Sequence, residues 1–144
     1  MTTVDQKQRL ILVIEDDPDT NDLISGILES AGYSPVPALN GEDGLESARS
    51  SQPDAIILDL MLPTIDGIEV CRRLMSDKST RAIPVIVVTA KQELSTKLSS
   101  FVAGAKRFIT KPFEEEDLLN EVHRTIRQKQ LQNEIIDSPT DPRD

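Results

Sequence analysis

Apolar residues in this chain fall into short unbroken runs, separated by longer stretches in which they recur every three or four positions. The run Ala55-Ile56-Ile57-Leu58 has no polar member and stops at Asp59. A strand covered on both faces of a parallel sheet reads this way. A strand over 9–14 ends likewise in acid, at Glu15, Asp16 and Asp17, and one over 83–88, Ile-Pro-Val-Ile-Val-Val, leads to Thr89 and Ala90. A short strand over 33–38 carries Pro35 and Pro37, which places it at a sheet edge, and a last one over 106–110 hands over to Lys111-Pro112.

The intervening stretches have helical period and helical punctuation. Asp17 is a ready N-cap and Pro18 suits a first turn; Leu23, Ile24, Ile27 and Leu28 then form one stripe, closed by Gly32. Asn40 caps a polar helix to about residue 51, with Leu45 and Ala48 inward and Pro53 past its end. Helices follow over 65–77, with Ile68, Cys71, Leu74 and Met75 as the apolar side, and over 92–103, ending at Gly104. The last begins near 114 with Glu114, Glu115, Glu116 and Asp117, and carries Arg124, Arg127 and Lys129 toward its end, an asymmetry that complements the helix dipole. Five strands alternating with five helices predict an α/β fold, a doubly wound five-stranded parallel sheet of the flavodoxin-like order 2-1-3-4-5. Residues 1–8 read as a flexible polar N-terminus, 9–131 as the folded domain and 132–144 as an acidic tail or linker, with the last helix running past the domain through Leu131 toward Ile136.

Composition narrows the function classes. A chain of 144 residues with 38% apolar but only 3% aromatic residues suits one domain with an Ile, Leu, Val and Ala core. The net charge of −9 argues against this segment gripping nucleic acid or an anionic membrane. A single cysteine cannot form an internal disulfide, the start is polar and no apolar run approaches membrane length, so a cytoplasmic setting is expected.

In open α/β sheets ligands bind at the carboxyl ends of the strands, and those ends here offer Glu15 with Asp16, Asp59, Thr89 and Lys111. Carboxylates held together repel unless a cation joins them, and oxygen-only ligands point to Mg²⁺, which is usually bound by one or two carboxylates plus phosphate oxygens. Such a site is built to receive phosphate. Asp59 can act as nucleophile, since aspartyl phosphates are established covalent intermediates. Mg²⁺, the Lys111 ammonium and the Thr89 hydroxyl with backbone N–H groups would each neutralise one phosphoryl oxygen.

Taken together, Leu12-Val13-Ile14-Glu15-Asp16-Asp17, Leu58-Asp59-Leu60-Met61-Leu62-Pro63, Val88-Thr89-Ala90 and Phe108-Ile109-Thr110-Lys111-Pro112-Phe113 make residues 9 to about 129 resemble a response regulator receiver domain of two-component signalling. The resemblance implies that Asp59 accepts a phosphoryl group from a sensor histidine kinase or histidine phosphotransfer protein. It implies that Asp16 and Asp59 ligate Mg²⁺ with the Met61 carbonyl, Glu15 acting through water. It further implies that Thr89 shifts toward the phosphate, that Phe108 at the aromatic switch position then turns inward, and that Lys111-Pro112 is a cis peptide. Such a protein is no enzyme toward other substrates; it catalyses its own phosphorylation and slow autodephosphorylation, and signals to a downstream protein or a C-terminal effector domain.

Two features depart from the common pattern. Lys106 and Arg107 stand where many receivers carry acids before the last strand, which puts a dimer through the fourth helix, last strand and last helix in doubt. Met61 and Lys91, each two residues past a site residue, flank the water path to the phosphate and are expected to slow hydrolysis. Other readings stay open. Taken alone, Asp59, Thr89 and Lys111 could each be an ordinary strand-end side chain, Phe108 plain core, and Cys71 and His123 helix residues without chemistry. A flavin carrier would need a hydroxyl- and amide-rich phosphate loop where Glu15-Asp16-Asp17 stands. A Mg²⁺-dependent aspartyl-phosphate phosphatase would want a carboxylate at Met61. A phosphate-independent interaction module would keep the fold and lose the switch.

Overall fold

The computed structural model describes residues 8–90 and 93–137. Its strands are β1 (Leu10–Ile14), β2 (Ser34–Ala38), β3 (Ala55–Leu58), β4 (Val85–Thr89) and β5 (Arg107–Thr110). They alternate with α1 (Pro18–Ser30), α2 (Gly41–Ser51), α3 (Gly67–Ser76), α4 (Leu94–Val102) and α5 (Glu115–Asp137). All strand pairs are parallel, in the order β2-β1-β3-β4-β5.

Side chains alternate across each strand, so one apolar run feeds two cores. Leu12, Ile14, Ile56, Leu58, Val85 and Val87 face α2 and α3, packing with Leu45, Ala48, Val70, Cys71 and Leu74. Ile11, Val13, Ala55, Ile57, Ile86 and Val88 face α1 and α5, packing with Ile24, Leu28, Leu118 and Val122. The absence of polar residues in the central strands is thus the signature of helices on both sides. In β2 the Ser34 N–H donates to the Arg9 carbonyl at 2.8 Å, so by alternation Pro35 and Pro37 fall where the backbone N–H would face away from β1.

Elements start where caps allow. Asp17, Asn40 and Asp66 each accept a hydrogen bond from the backbone N–H three residues on, at Thr20, Asp43 and Glu69. Because Asp66 is the extended N-cap, α3 begins at Gly67, two residues later than its apolar pattern suggests. β4 begins at Val85 rather than at residue 83, since the Ile83 N–H is spent on the Thr80 carbonyl in a turn and Pro84 has none. Likewise β2 and β5 each lose their first predicted residue, and α4 begins at Leu94 with no side-chain cap from Glu93.

Two stripe residues differ from the predicted packing. Leu23 is 58% exposed, because Asn21, Ile24 and Leu28 take the inward face of α1. Met75 is partly exposed, but its side chain covers Gly104, whose φ of 117° ends α4 and whose missing Cβ leaves the room. Cys71 packs in the core, where burial pushes its thiol up to about 11.

The last helix continues past residue 131 to Asp137, so the first residues assigned to the tail are helical; 138–144 and 1–7 lie outside the described residues. Among the described residues no helix is long and apolar enough to cross a membrane.

Candidate functional site

Two acids bracket β3, and the sheet separates their roles. Asp54 accepts the Leu10 N–H at 2.8 Å and sits near Arg9, anchoring the start of β1 at the amino edge. Asp59 leaves the opposite edge, where its N–H donates to the Ile14 carbonyl at 3.0 Å and so ties the tip of β3 to that of β1.

At this carboxyl edge Glu15, Asp16 and Asp59 each offer a carboxylate oxygen within 4.8 Å of the others. Glu15 is 2% and Asp59 6% exposed, whereas Asp16 faces solvent. The Lys111 ammonium donates to Glu15 Oε1 and to Asp59 Oδ2, both at 2.7 Å. The remaining oxygens are also engaged: Glu15 Oε2 accepts the Asp17 N–H at 3.1 Å and Asp59 Oδ1 the Met61 N–H at 2.9 Å.

One ammonium does not balance this cluster. Burial pushes the Glu15 carboxyl up to about 7 against the opposing pull of Lys111 and the Asp17 N–H, with nearby Asp59 adding to the rise. Burial pulls Lys111 down, but its bonds to Asp59 and Glu15 outweigh that and hold it protonated. An oxygen-only acidic set short of positive charge fits a hard divalent cation such as Mg²⁺.

Thr89, fully buried, ends β4, two residues past the Leu58↔Val87 pairing, and its carbonyl accepts the Lys111 N–H at 2.9 Å. Lys111 follows directly on β5, and its bond to Pro112 is a cis peptide. Met61, whose N–H bonds Asp59, is 54% exposed; Lys91 lies outside the described residues. Phe108 is half-buried rather than plain core, its ring 6.5 Å from that of Phe101 and 5.9 Å from the Lys97 ammonium, both on α4. Arg107 is drawn to Glu121 of α5 at 3.6 Å, which accounts for one of the two unusual cations, while Lys106 stays exposed. His123 meets the Tyr33 hydroxyl through Nδ1 at 2.5 Å, far from the acids in role and partner.

One contributor has no counterpart in the sequence reading. Asn21, 1% exposed on α1, directs its amide nitrogen at the carbonyls of Val13, Glu15 and Ala38. The signal was present in the helical period: an amide at position 21 on the same face as Ile24 and Leu28 is a polar group aimed inward.

A parallel doubly wound sheet with an aspartate, an acid pair and a lysine at one edge defines a receiver domain, and comparison agrees. The response regulator receiver domain model matches residues 11–123, and the chain belongs to that family of two-component proteins. It is 45% identical over 117 residues to the DNA-binding dual master transcriptional regulator RpaA of Synechocystis, covering 81% of this chain and 48% of the relative. The chain spans about half the length of the curated relatives it matches. A response regulator from Chloroflexus aurantiacus superimposes with a TM-score of 0.80 at 33% identity, covering 84% of this chain and 99% of the other. The receiver domain of a Pseudomonas aeruginosa sensor histidine kinase, solved with a magnesium ion coordinated in its active-site cleft, does so with a TM-score of 0.78 at 29% identity, covering 83% and 98%.

Proposed function

We propose that this receiver is switched by phosphorylation of Asp59, with a sensor histidine kinase or histidine phosphotransfer protein as donor. The observation that carries the reading is the Lys111 ammonium bridging Glu15 and Asp59 beside Asp16, a charge arrangement with one cation too few. An Asp59 carboxylate oxygen attacks the donor's phosphorus; the new O–P bond forms as the donor's N–P bond breaks and the electron pair returns to the imidazole nitrogen. Lys111 then trades a carboxylate oxygen for a phosphoryl oxygen, and the Thr89 hydroxyl takes another. Asp16, Asp59 and the Met61 carbonyl would hold Mg²⁺, with Glu15 acting through water; when bound, the ion supplies positive charge to the transferring group.

The output is a shift in populations. Contacts made only with the phosphorylated Asp59 favour the arrangement in which Thr89 has moved and Phe108 has turned inward from its half-buried place beside Phe101 and Lys97. The affected surface would signal to a downstream protein or to a following effector domain in a longer cytoplasmic protein, as the length and DNA-binding description of the Synechocystis relative suggest.

Incubation with acetyl phosphate tests the reading. One phosphoryl group per chain, seen by intact mass, is expected with Mg²⁺ and none with excess EDTA. No adduct under either condition would favour a phosphate-independent interaction module. Met61 and Lys91 are further proposed to impede the hydrolytic water. Met61→Asn should shorten the phosphoryl lifetime about threefold, ~0.7 kcal/mol in barrier height. An unchanged decay in both Met61→Asn and Lys91→Ala would remove that idea.

A further inference from the structure

We infer that Asn21 is a positioning residue for the acidic pair, setting the metal affinity of a site it does not touch. The inference rests on the functional reading above, and its basis is the hydrogen-bond geometry of one buried amide. Asn21 Nδ2 lies 3.2 Å from the Val13 carbonyl, 3.1 Å from that of Glu15 and 3.1 Å from that of Ala38. Only the NH₂ end can meet three carbonyl oxygens, and the Ser25 hydroxyl donates to Asn21 Oδ1 at 3.2 Å, so the amide has a single consistent orientation. Its two hydrogens serve three acceptors, one of them shared.

The three carbonyls define the place where the acids leave the sheet. Val13 belongs to the end of β1, Ala38 is the last residue of β2, and Glu15 is itself the first acid. The Glu15 N–H also donates to Ala38 at 3.1 Å, so the Glu15 peptide groups are held on both sides: N–H by β2, carbonyl by α1. The Glu15 carbonyl is the peptide link to Asp16. Fixing it limits the directions in which the exposed Asp16 carboxylate can point, and that carboxylate has no burial of its own to orient it. Groups one layer behind metal ligands act in this way, and their loss typically costs about 10–100-fold in metal affinity.

The test compares wild type with Asn21→Leu, which keeps the branched side-chain skeleton and removes both donors. Mg²⁺ is titrated into each full chain by calorimetry, and acetyl phosphate labelling rates are followed as a function of Mg²⁺. The expected result is a Mg²⁺ dissociation constant weaker by about tenfold, with the labelling rate at saturating Mg²⁺ within about twofold of wild type. A structural defect alone would instead lower the saturating rate or the folded fraction without moving the metal midpoint. Where Asn21→Leu yields no folded protein, Asn21→Gln and Ser25→Ala are measured in its place, because both retain an amide at the site but alter its reach or orientation. Unchanged Mg²⁺ affinity in the folded variants overturns the inference. A wild-type chain that binds no Mg²⁺ overturns the functional reading beneath it, so the two failures are distinct.

Discussion

Asp59→Asn should take up no phosphoryl group from acetyl phosphate and Mg²⁺, while remaining folded. The carboxamide oxygen carries no charge and is a poor nucleophile, so the attacking atom is lost outright. The fold has little reason to suffer. An amide oxygen can still accept the Met61 N–H, now bonded to Asp59 Oδ1 at 2.9 Å, and the backbone N–H to Ile14 is untouched; Lys111 loses its bond to Asp59 Oδ2 but keeps Glu15 Oε1 at 2.7 Å. Removing one of three carboxylates that lie within 4.8 Å also relieves repulsion, so the unfolding midpoint without Mg²⁺ should be unchanged or raised. Acid-labile label on a folded Asp59→Asn protein would place the phosphoacceptor elsewhere.

Gly67→Ala is the second large effect, and it acts on the same loop through sterics alone. An ideal Cβ at Gly67 would stand 2.5 Å from the Asp59 carbonyl oxygen and 2.5 Å from Leu60 Cα, both backbone atoms that cannot rotate aside. The Gly67 N–H also donates to the Leu60 carbonyl at 2.9 Å, so the first turn of α3 is clamped onto the segment that follows Asp59. Relieving the clash must move that segment, and the cost of such overpacking is about 1–3 kcal/mol. Labelling at Asp59 should fall with it, because the Met61 N–H that orients Asp59 Oδ1 lies on the displaced stretch. Gly26→Ala is the control: nothing lies within 4 Å of its Cβ position, and in the interior of α1 the exchange should stabilise by about 0.5–1 kcal/mol. Chemical denaturation of the two variants reads both signs, and equal stabilities would discredit the clamp.

The acidic carboxyl edge of the sheet was legible because its residues stand where apolar runs stop. Glu15, Asp59 and Thr89 each follow a buried strand, and a strand's direction alone assigns them to one edge of a parallel sheet. Lys111 was legible by the same logic after β5. Strand and helix starts were read less well, since they turned on which N–H a turn had already used, as at Ile83, or on which residue took the extended cap, as at Asp66. Phe108 was expected at an aromatic switch position from the family resemblance, but its partners on α4, Lys97 and Phe101, come from a helix that periodicity places only approximately.

Local patterns, then, were enough for the number of elements, their alternation, the edge place of the proline-bearing strand and the acids and lysine at the sheet's carboxyl edge. These depend on a few neighbouring residues, on period and on capping, all carried in the linear chain. Which of those side chains meet depended on the folded chain. Lys111 reaches Glu15 across 96 positions, the Asn21 amide joins two strand ends from a helix, and Gly67 admits the backbone beyond Asp59. Each is a contact between segments with no sequence relation, and close packing of the whole sheet and its helices decides which atoms come within hydrogen-bond or van der Waals reach.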